Sequence, residues 1–236
     1  VDRFIVVSRE IDRELEAAGI PPQRRAFIPN GVDCQRFAPP TPEQKAAARV
    51  QLGLPADQSV LVFTGRIDPE KNLALLLKLW PQIRLAAPQA SLILVGDGEQ
   101  AAELRAASPE GVLWPGKVTD PRPYLHAADI FVLPSLTEGL SNALLEGMAC
   151  GLAPVSSLVG GSEDVILPGV NGFLVPTNDG TALQDALVNL VTHPETCARM
   201  GAASRERISQ DYDLENTVAR LHSLYLEVTS QGSQTS

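Results

Sequence analysis

Short apolar segments alternate with longer amphipathic segments from Pro42 onward, and this alternation limits the possible folds more than any other feature. Six apolar segments have the length and composition of buried strands, at residues 60–63, 92–95, 112–114, 130–133, 153–156 and 172–175. Helical patterns lie between and after them, including residues 72–85, 179–191, 194–209 and 214–228. Strands that alternate with helices form a parallel sheet covered on both faces. The sequence therefore predicts an α/β fold with a doubly wound parallel sheet of about six strands.

Two prolines bear on these elements. Pro154 cannot donate a hydrogen bond to a sheet ladder, so we expect residues 153–156 to form an edge strand or a strand that starts at the proline. Pro81 lies inside a helical pattern, and we expect that helix to be broken or bent there.

Net charge and hydropathy exclude several partners. The chain has a net charge of −9 and no basic stripe, which argues against nucleic acid and against an anionic membrane surface. No apolar segment approaches the roughly twenty residues that span a bilayer. The cysteines Cys34, Cys150 and Cys197 are scattered and match no metal-binding spacing, which fits a reducing compartment.

A glycine follows several of the predicted strands. Gly65, Gly96, Gly98, Gly116 and Gly139 all lie in the short stretches that follow apolar segments. In a doubly wound sheet, ligands bind beyond the carboxyl ends of the strands, where these residues meet. We interpret the glycines as positions where the backbone approaches a ligand closely, although a single glycine at a strand end is usually only a turn residue.

The stretch from Glu138 to Gly151 combines two carboxylates with the start of a helix. Ser141 or Asn142 can cap this helix, which places Glu138 before it and Glu146 about two turns inside it. Free amides at a helix start bind anions, so flanking carboxylates suit a ligand with both phosphates and hydroxyls, such as a nucleotide-sugar. The alternative is that Glu138 only favours the helix dipole and that Glu146 is a solvated surface residue.

Two cations follow the strand at residues 60–63. Arg66 offers a planar fork and Lys71 a point charge, and both suit phosphate oxygens. Lys71 precedes a helix, where a lysine is unfavourable unless an anion compensates it. The alternative is that both side chains are solvated surface charges. Because their loop and the Glu138 loop share one edge of the sheet, phosphate binding is the better interpretation.

Together these motifs resemble the C-terminal, donor-binding half of a GT-B fold retaining glycosyltransferase, of glycosyltransferase family 4 (glycosyl transferases group 1), with a Rossmann-like domain. The resemblance covers nearly the whole chain in the family's order. The matching stretches are residues 28–33 with Phe37, residues 64–66 with 71–72, residues 95–98, Gly116 with Val118, residues 128–132 with 134–135, Glu138-Gly139 to Glu146, residues 148–149 with Gly151, and residues 160–161 with Gly172. The chain departs from the family pattern at Gly147, at Ala153-Pro154 and at Asp164.

The resemblance implies a role for each matching residue. Glu138, Arg66 and Lys71 are implied as catalytic residues, with Glu138 facing the transferred sugar. The residues implied for donor diphosphate binding are Gly65, Arg66, Lys71, Gly139, Leu140 and Ser141. Glu146 is implied to bind the ribose, and Gly116, Lys117 and Val118 to border the base. No cofactor and no metal ion are expected, because the cationic side chains take the place that a divalent ion would fill.

The implied reaction is metal-free hexosyl transfer, with retention, from a nucleotide diphosphate sugar, UDP or GDP, to an acceptor glycan, lipid or small molecule. Polysaccharide or lipopolysaccharide biosynthesis in a bacterium is the expected setting. We expect a cytoplasmic location, with peripheral association to the inner membrane in the full-length protein. The alternatives are a nucleotide-sugar binding module that is inactive without an N-terminal domain, and a GT-B relative such as a sugar-nucleotide epimerase.

Four regions are expected along the chain. Residues 1–37 are interpreted as the end of an N-terminal domain with an interdomain linker, and residues 38–210 as the donor-binding domain. Residues 211–228 form a helix with an apolar stripe of Leu221, Leu224, Tyr225 and Val228, which we expect to cross to the N-terminal domain that binds the acceptor. Residues 229–236 are expected to be a disordered tail.

Overall fold

A computed structural model describes residues 3–232 of the chain. Its main sheet has six parallel strands in the order β5-β4-β3-β6-β7-β8. These strands are β3 (Val60–Thr64), β4 (Ser91–Val95), β5 (Val112–Gly116), β6 (Ile130–Leu133), β7 (Ala153–Ser157) and β8 (Phe173–Val175). The doubly wound parallel sheet predicted from the sequence is therefore confirmed.

Helices connect the strands and cover both faces of the sheet. They are α2 (Pro42–Gln51), α3 (Leu73–Ala86), α4 (Ala101–Ala106), α5 (Arg122–Ala127), α6 (Asn142–Ala149), α7 (Ser162–Val165), α8 (Gly180–Thr192) and α9 (Pro194–Asp211). The central strands β3 and β6 are buried along their whole length, because helices lie on both sides of them. Trp80, Phe63 and Phe131 are the largest fully buried side chains of this core.

A smaller unit precedes the main sheet. Strands β1 (Phe4–Val6) and β2 (Arg25–Phe27) pair in parallel and are joined through α1 (Arg9–Ala17). The long helix α10 (Leu214–Gly232) returns to this unit, where Thr217 donates a hydrogen bond to the carbonyl of Pro29 and Arg3 pairs with Glu227. Along the predicted stripe of α10, Leu221, Leu224 and Val228 are half-buried, whereas Tyr225 is exposed. None of the helices among residues 3–232 combines the length and the apolar composition of a membrane-spanning segment.

Three sequence expectations about these elements differ from the structure. The strand β7 lies inside the sheet, so the edge-strand alternative is wrong, and it starts at Ala153, one residue before the proline of the other alternative. Ala153 donates to Asp129 in the direction of β6, so the ring nitrogen of Pro154 points towards β8, and the pairing with β8 starts only at Val155. The sheet therefore loses no ladder hydrogen bond at the proline.

The other two differences concern the continuity of α3 at Pro81 and the C-terminal end of α10. Helix α3 runs from Leu73 to Ala86 as one helix with Pro81 inside it, so the expected break is wrong and the expected bend stays a prediction. Helix α10 extends to Gly232, so residues 229–232 are helical where a disordered tail was expected. Residues 233–236, the rest of that predicted tail, lie outside the described residues.

Candidate functional site

A cleft of about 600 Å³ opens at the carboxyl edge of the sheet. It lies where the strand order reverses, since the chain builds β3, β4 and β5 in one direction and then returns to place β6 on the other side of β3. Open α/β sheets bind their ligands at this switch point. The residues that line the cleft are Thr64, Gly65, Arg66, Val95, Gly96, Asp97, Gly98, Lys117, Val118, Pro121, Asn142, Ala143 and Glu146.

The glycines after β3 and β4 allow two loops to pack against each other. A Cβ atom on Gly96 would lie 1.8 Å from the carbonyl oxygen of Gly65, and one on Gly98 would lie 2.4 Å from that of Ile67. The amide of Ile67 also donates to the carbonyl of Asp97 at 3.0 Å. At Gly96 and Gly98 there is thus a close approach to another loop of the same chain, while both residues also line the cleft.

Glu146 enters the cleft from the second turn of α6. The hydroxyl of Ser141 caps this helix by accepting from the amide of Leu144 at 3.3 Å, which selects Ser141 from the two caps considered. Gly147 lets the helix sit directly on β6, because a Cβ atom there would lie 2.5 Å from the ring of Phe131. Burial raises the pKa of Glu146, the positive charge of Arg36 opposes this shift and the negative charge of Asp120 adds to it.

This raised pKa predicts a pH effect on stability. Between the ordinary carboxyl pKa and the raised one, the folded state binds more protons than the unfolded state, so stability falls as pH rises. We expect the free energy of unfolding of the native chain, relative to Glu146→Gln, to fall as pH rises through that window and then to become constant. Urea titrations at several values between about pH 4 and about pH 7 measure this difference. Parallel stability curves for the two proteins would contradict the prediction.

The two predicted phosphate-binding cations have different surroundings. Arg66 lines the cleft with its side chain 78% exposed, and its guanidinium lies 3.4 Å from the carboxylate of Asp68. Lys71 instead pairs with Glu138 at 2.7 Å, and the hydroxyl of Ser135 donates to the same carboxylate oxygen at 2.8 Å. The described residues that line the cleft do not include Lys71 or Glu138.

Backbone carbonyls of the loop before α6 accept hydrogen bonds from other parts of the chain. The carbonyl of Leu140 accepts from the side-chain amide of Asn30 at 3.1 Å, and the carbonyl of Gly139 accepts from the amide of Gly161. Leu140 is buried, whereas Gly139 is exposed and no described heavy atom lies within 4 Å of the position of its Cβ. An open position without a side chain leaves room for a ligand beside Gly139.

The sequence analysis did not name the first two residues of α6 as site residues, although both line the cleft. Asn142 and Ala143 are the first two residues of α6, and both line the cleft, next to the predicted Ser141. Their amides have no intrahelical acceptor because they belong to the first turn of a helix. The signal for them was present in the sequence, since fixing Ser141 as the cap identifies the next two residues as the first ones with free helical amides.

Two residues of the predicted base-binding segment also line the cleft. Lys117 and Val118 line the cleft directly after β5, and Gly116 ends that strand with a φ angle of 80°. Asp97 and Pro121 also line the cleft and were not predicted as site residues. The cleft thus brings together Gly65, Arg66, Glu146, Lys117 and Val118 from the ends of three separate strands, β3, β5 and β6.

Comparison with known proteins identifies the relatives of this fold. A family model described as glycosyl transferases group 1 matches residues 58–193, more than half of the chain. A GDP-mannose-dependent monoacylated alpha-(1-6)-phosphatidylinositol monomannoside mannosyltransferase from Corynebacterium glutamicum is 34% identical over 82% of this chain and 54% of its own length. A UDP-Gal:alpha-D-GlcNAc-diphosphoundecaprenol alpha-1,3-galactosyltransferase from Escherichia coli is 30% identical over 89% of this chain and 56% of its own length.

A solved structure shows the same architecture. The crystal structure of HepE from Anabaena in complex with UDP-glucose superposes with a TM-score of 0.83 and 25% sequence identity, over 98% of this chain and 64% of that one. The chain spans about half the length of the two curated relatives. The family model, the relatives and the six-stranded sheet agree, and the chain belongs to the glycosyl transferases group 1 family with the Rossmann-like fold of a GT-B C-terminal domain.

Proposed function

We propose that this chain is the donor-binding half of a retaining glycosyltransferase that transfers a hexose from a nucleotide diphosphate sugar. The observation that carries the proposal is the cleft at the switch point of the sheet, which is lined by Arg66, by the first residues of α6 and by Glu146. A cleft of about 600 Å³ lies in the size range of small-molecule sites. The cleft contains a cationic group that can bind phosphate and a carboxylate that can accept hydrogen bonds from hydroxyls, as a nucleotide-sugar requires.

The diphosphate would bind at the positive side of this cleft. Arg66 supplies a guanidinium fork, and the amides of Asn142 and Ala143 supply donors at the positive end of the α6 dipole. Lys71, together with the backbone of Gly65, Gly139, Leu140 and Ser141, would complete the diphosphate site. These groups stabilise the negative charge that develops on the leaving diphosphate during sugar transfer.

The remaining parts of the donor would lie along the cleft. Glu146 accepts hydrogen bonds from the ribose hydroxyls, and the segment from Gly116 to Val118 borders the base. Glu138 would face the transferred sugar. The curated relatives named above use GDP-mannose and UDP-Gal according to their names, which supports a UDP or GDP donor for this chain.

We further propose that transfer needs no metal ion and retains the anomeric configuration. The cationic groups named above take over charge neutralisation. The single Asp-x-Asp stretch of the sequence, residues 211–213, joins α9 to α10, and there Asp211 pairs with Arg207 at 2.6 Å. Transfer by the full-length protein that is insensitive to EDTA, with a product of unchanged anomeric configuration by NMR, is the expected result.

The half-length match has a functional consequence. This chain spans about half of its curated relatives, so we propose that the acceptor site lies in sequence outside these residues. The chain alone would then bind the donor as a nucleotide-sugar binding module and transfer no sugar above background. We place it in the cytoplasm, because its three cysteines, all within the described part, are free and buried.

The test of the proposal is calorimetric titration with UDP and GDP. Arg66→Ala and Lys71→Ala should each weaken binding of the preferred nucleotide by about 1.5–3 kcal/mol, the scale of a charge-assisted hydrogen bond. Lys78→Ala is the matched control, because it removes one exposed cation from α3 away from the cleft residues. If both site variants bind UDP and GDP as tightly as the native chain, the proposed diphosphate site is wrong.

A further inference from the structure

Lys71 and Glu138 form an ion pair with each other, although the proposed function gives them different parts of the donor. The ammonium of Lys71 lies 2.7 Å from one carboxylate oxygen of Glu138, and the two side chains are only 16% and 12% exposed. Arg66, on the same loop as Lys71, is 78% exposed and only loosely paired. Of the two proposed phosphate-binding cations, one is therefore open to a ligand and the other is covered.

Contacts that do not involve this ion pair hold the two loops together. The amide of Leu136 donates to the carbonyl of Glu70 at 2.7 Å and ties the Lys71 loop to the Glu138 loop. On the other side, the backbone of Gly160 packs against Glu138, so closely that a Cβ atom would lie 2.3 Å from the carbonyl oxygen of Glu138. The side chains can therefore separate while the backbone of both loops stays in place.

We propose that Glu138 masks Lys71 until a diphosphate arrives, and that the diphosphate takes over the ammonium of Lys71 and releases the Glu138 carboxylate. This inference rests on the proposed donor site. A phosphate group competes well for the ammonium because its oxygens carry charge and accept strong hydrogen bonds. The released carboxylate loses its cationic partner at the moment when the sugar reaches it, so it becomes available to accept from sugar hydroxyls.

The mask couples recognition of the sugar to recognition of the diphosphate. A free hexose carries no charge that could displace Glu138 from Lys71, so it meets a carboxylate that is already paired on one oxygen with Lys71 and Ser135. A nucleotide diphosphate sugar displaces the carboxylate first and then contacts it. The site would therefore discriminate against free sugars without any steric barrier.

Glu138→Gln tests the inference because the mask predicts a gain in nucleotide affinity, not the absence of a change. Loss of a carboxylate placed at a sugar site would ordinarily leave nucleotide affinity unchanged, whereas loss of a mask raises it. We expect Glu138→Gln to bind UDP or GDP about three- to tenfold more tightly than the native chain, because the competing charge on Lys71 is gone. Ser135→Ala should act in the same direction with a smaller gain, since it removes one hydrogen bond that holds Glu138 in the paired position.

Two controls separate the mask from general electrostatics. Glu70→Gln removes the same charge one residue before Lys71, and the exposed Glu70 carboxylate makes none of the ion pairs found among residues 3–232. Its nucleotide affinity should stay within about twofold of the native value, as expected for a screened surface charge. In the Lys71→Met background, Glu138→Gln should give no gain, because there is no ammonium left to release.

Each calorimetric outcome decides the inference. Tighter nucleotide binding in Glu138→Gln, lost in the Lys71→Met background, supports the mask. Unchanged or weaker binding in Glu138→Gln while the native chain binds UDP or GDP overturns the mask and leaves the donor site intact. A gain that persists in the Lys71→Met background, or that Glu70→Gln reproduces, also overturns it. If the native chain and all variants bind neither nucleotide, the proposed function itself fails.

Discussion

Asp129→Ala is expected to lower the free energy of unfolding by about 3–5 kcal/mol, the range for breaking a buried ion pair from one side. The Asp129 carboxylate accepts from Lys45 at 2.6 Å, from Arg49 at 2.8 Å and from the backbone amide of Val60 at 2.8 Å. The side chain of Arg49 is only 8% exposed, so it would keep a buried charge without a carboxylate. Urea denaturation followed by circular dichroism measures the loss.

Asp57→Ala is the matched control for this change. Asp57 is exposed on the loop before β3, and it takes part in none of the ion pairs found among residues 3–232. We expect it to change stability by at most about 0.5 kcal/mol, as most surface substitutions do. A midpoint for Asp129→Ala that coincides with that of Asp57→Ala would show that the Asp129 cluster adds nothing to stability.

Gly96→Ala is expected to cost about 3 kcal/mol or more of stability, since a backbone clash adds to backbone strain. The new Cβ atom would lie 1.8 Å from the carbonyl oxygen of Gly65, an atom fixed by the end of β3. The φ angle of 146° at Gly96 also lies in a region that other residues rarely adopt. Because Gly65 and Gly96 both line the cleft, nucleotide binding should be lost together with stability.

Gly116→Ala separates the effect of backbone strain from the effect of a steric clash. Its φ angle is 80°, and the nearest described heavy atom to the new Cβ would be the guanidinium of Arg105 at 4.0 Å. Strain alone should therefore cost about 1–2 kcal/mol. Thermal unfolding of the two variants under identical conditions makes the comparison. Equal losses at Gly96 and Gly116 would show that the two loops can move apart and that the packing described above is not needed.

The strands were predictable because their signal is local. Residues 60–63 and 130–133 are continuous apolar runs, and such runs are typical of parallel strands that are covered on both faces. Pro154 misled the prediction because its effect depends on which side of β7 its ring nitrogen faces. That side is set by the hydrogen bond from Ala153 to Asp129, a contact between distant parts of the chain.

The position of the site was predictable, but the state of its charges was not. The rule for parallel sheets places the residues after β3, β5 and β6 at one edge, and the cleft contains Arg66, Lys117 and Glu146 from those segments. The pairing of Lys71 with Glu138 joins residues 67 positions apart and depends on side-chain placement in two loops. Sequence spacing holds no information of that kind, so two residues with separate expected roles turned out to be partners.

The strand β6 carries the Asp129 cluster at its amino end and leads to the Glu138 loop at its carboxyl end. Four residues of strand separate the two, roughly 13 Å at about 3.3 Å per residue. We therefore expect substitutions at one end of β6 to be independent of substitutions at the other end. Substitutions that raise thermal stability should accumulate at the Asp129 end, while substitutions that alter ligand preference should accumulate at the cleft. The ligand preference of the cleft can then change while the ion pairs that stabilise the sheet stay in place.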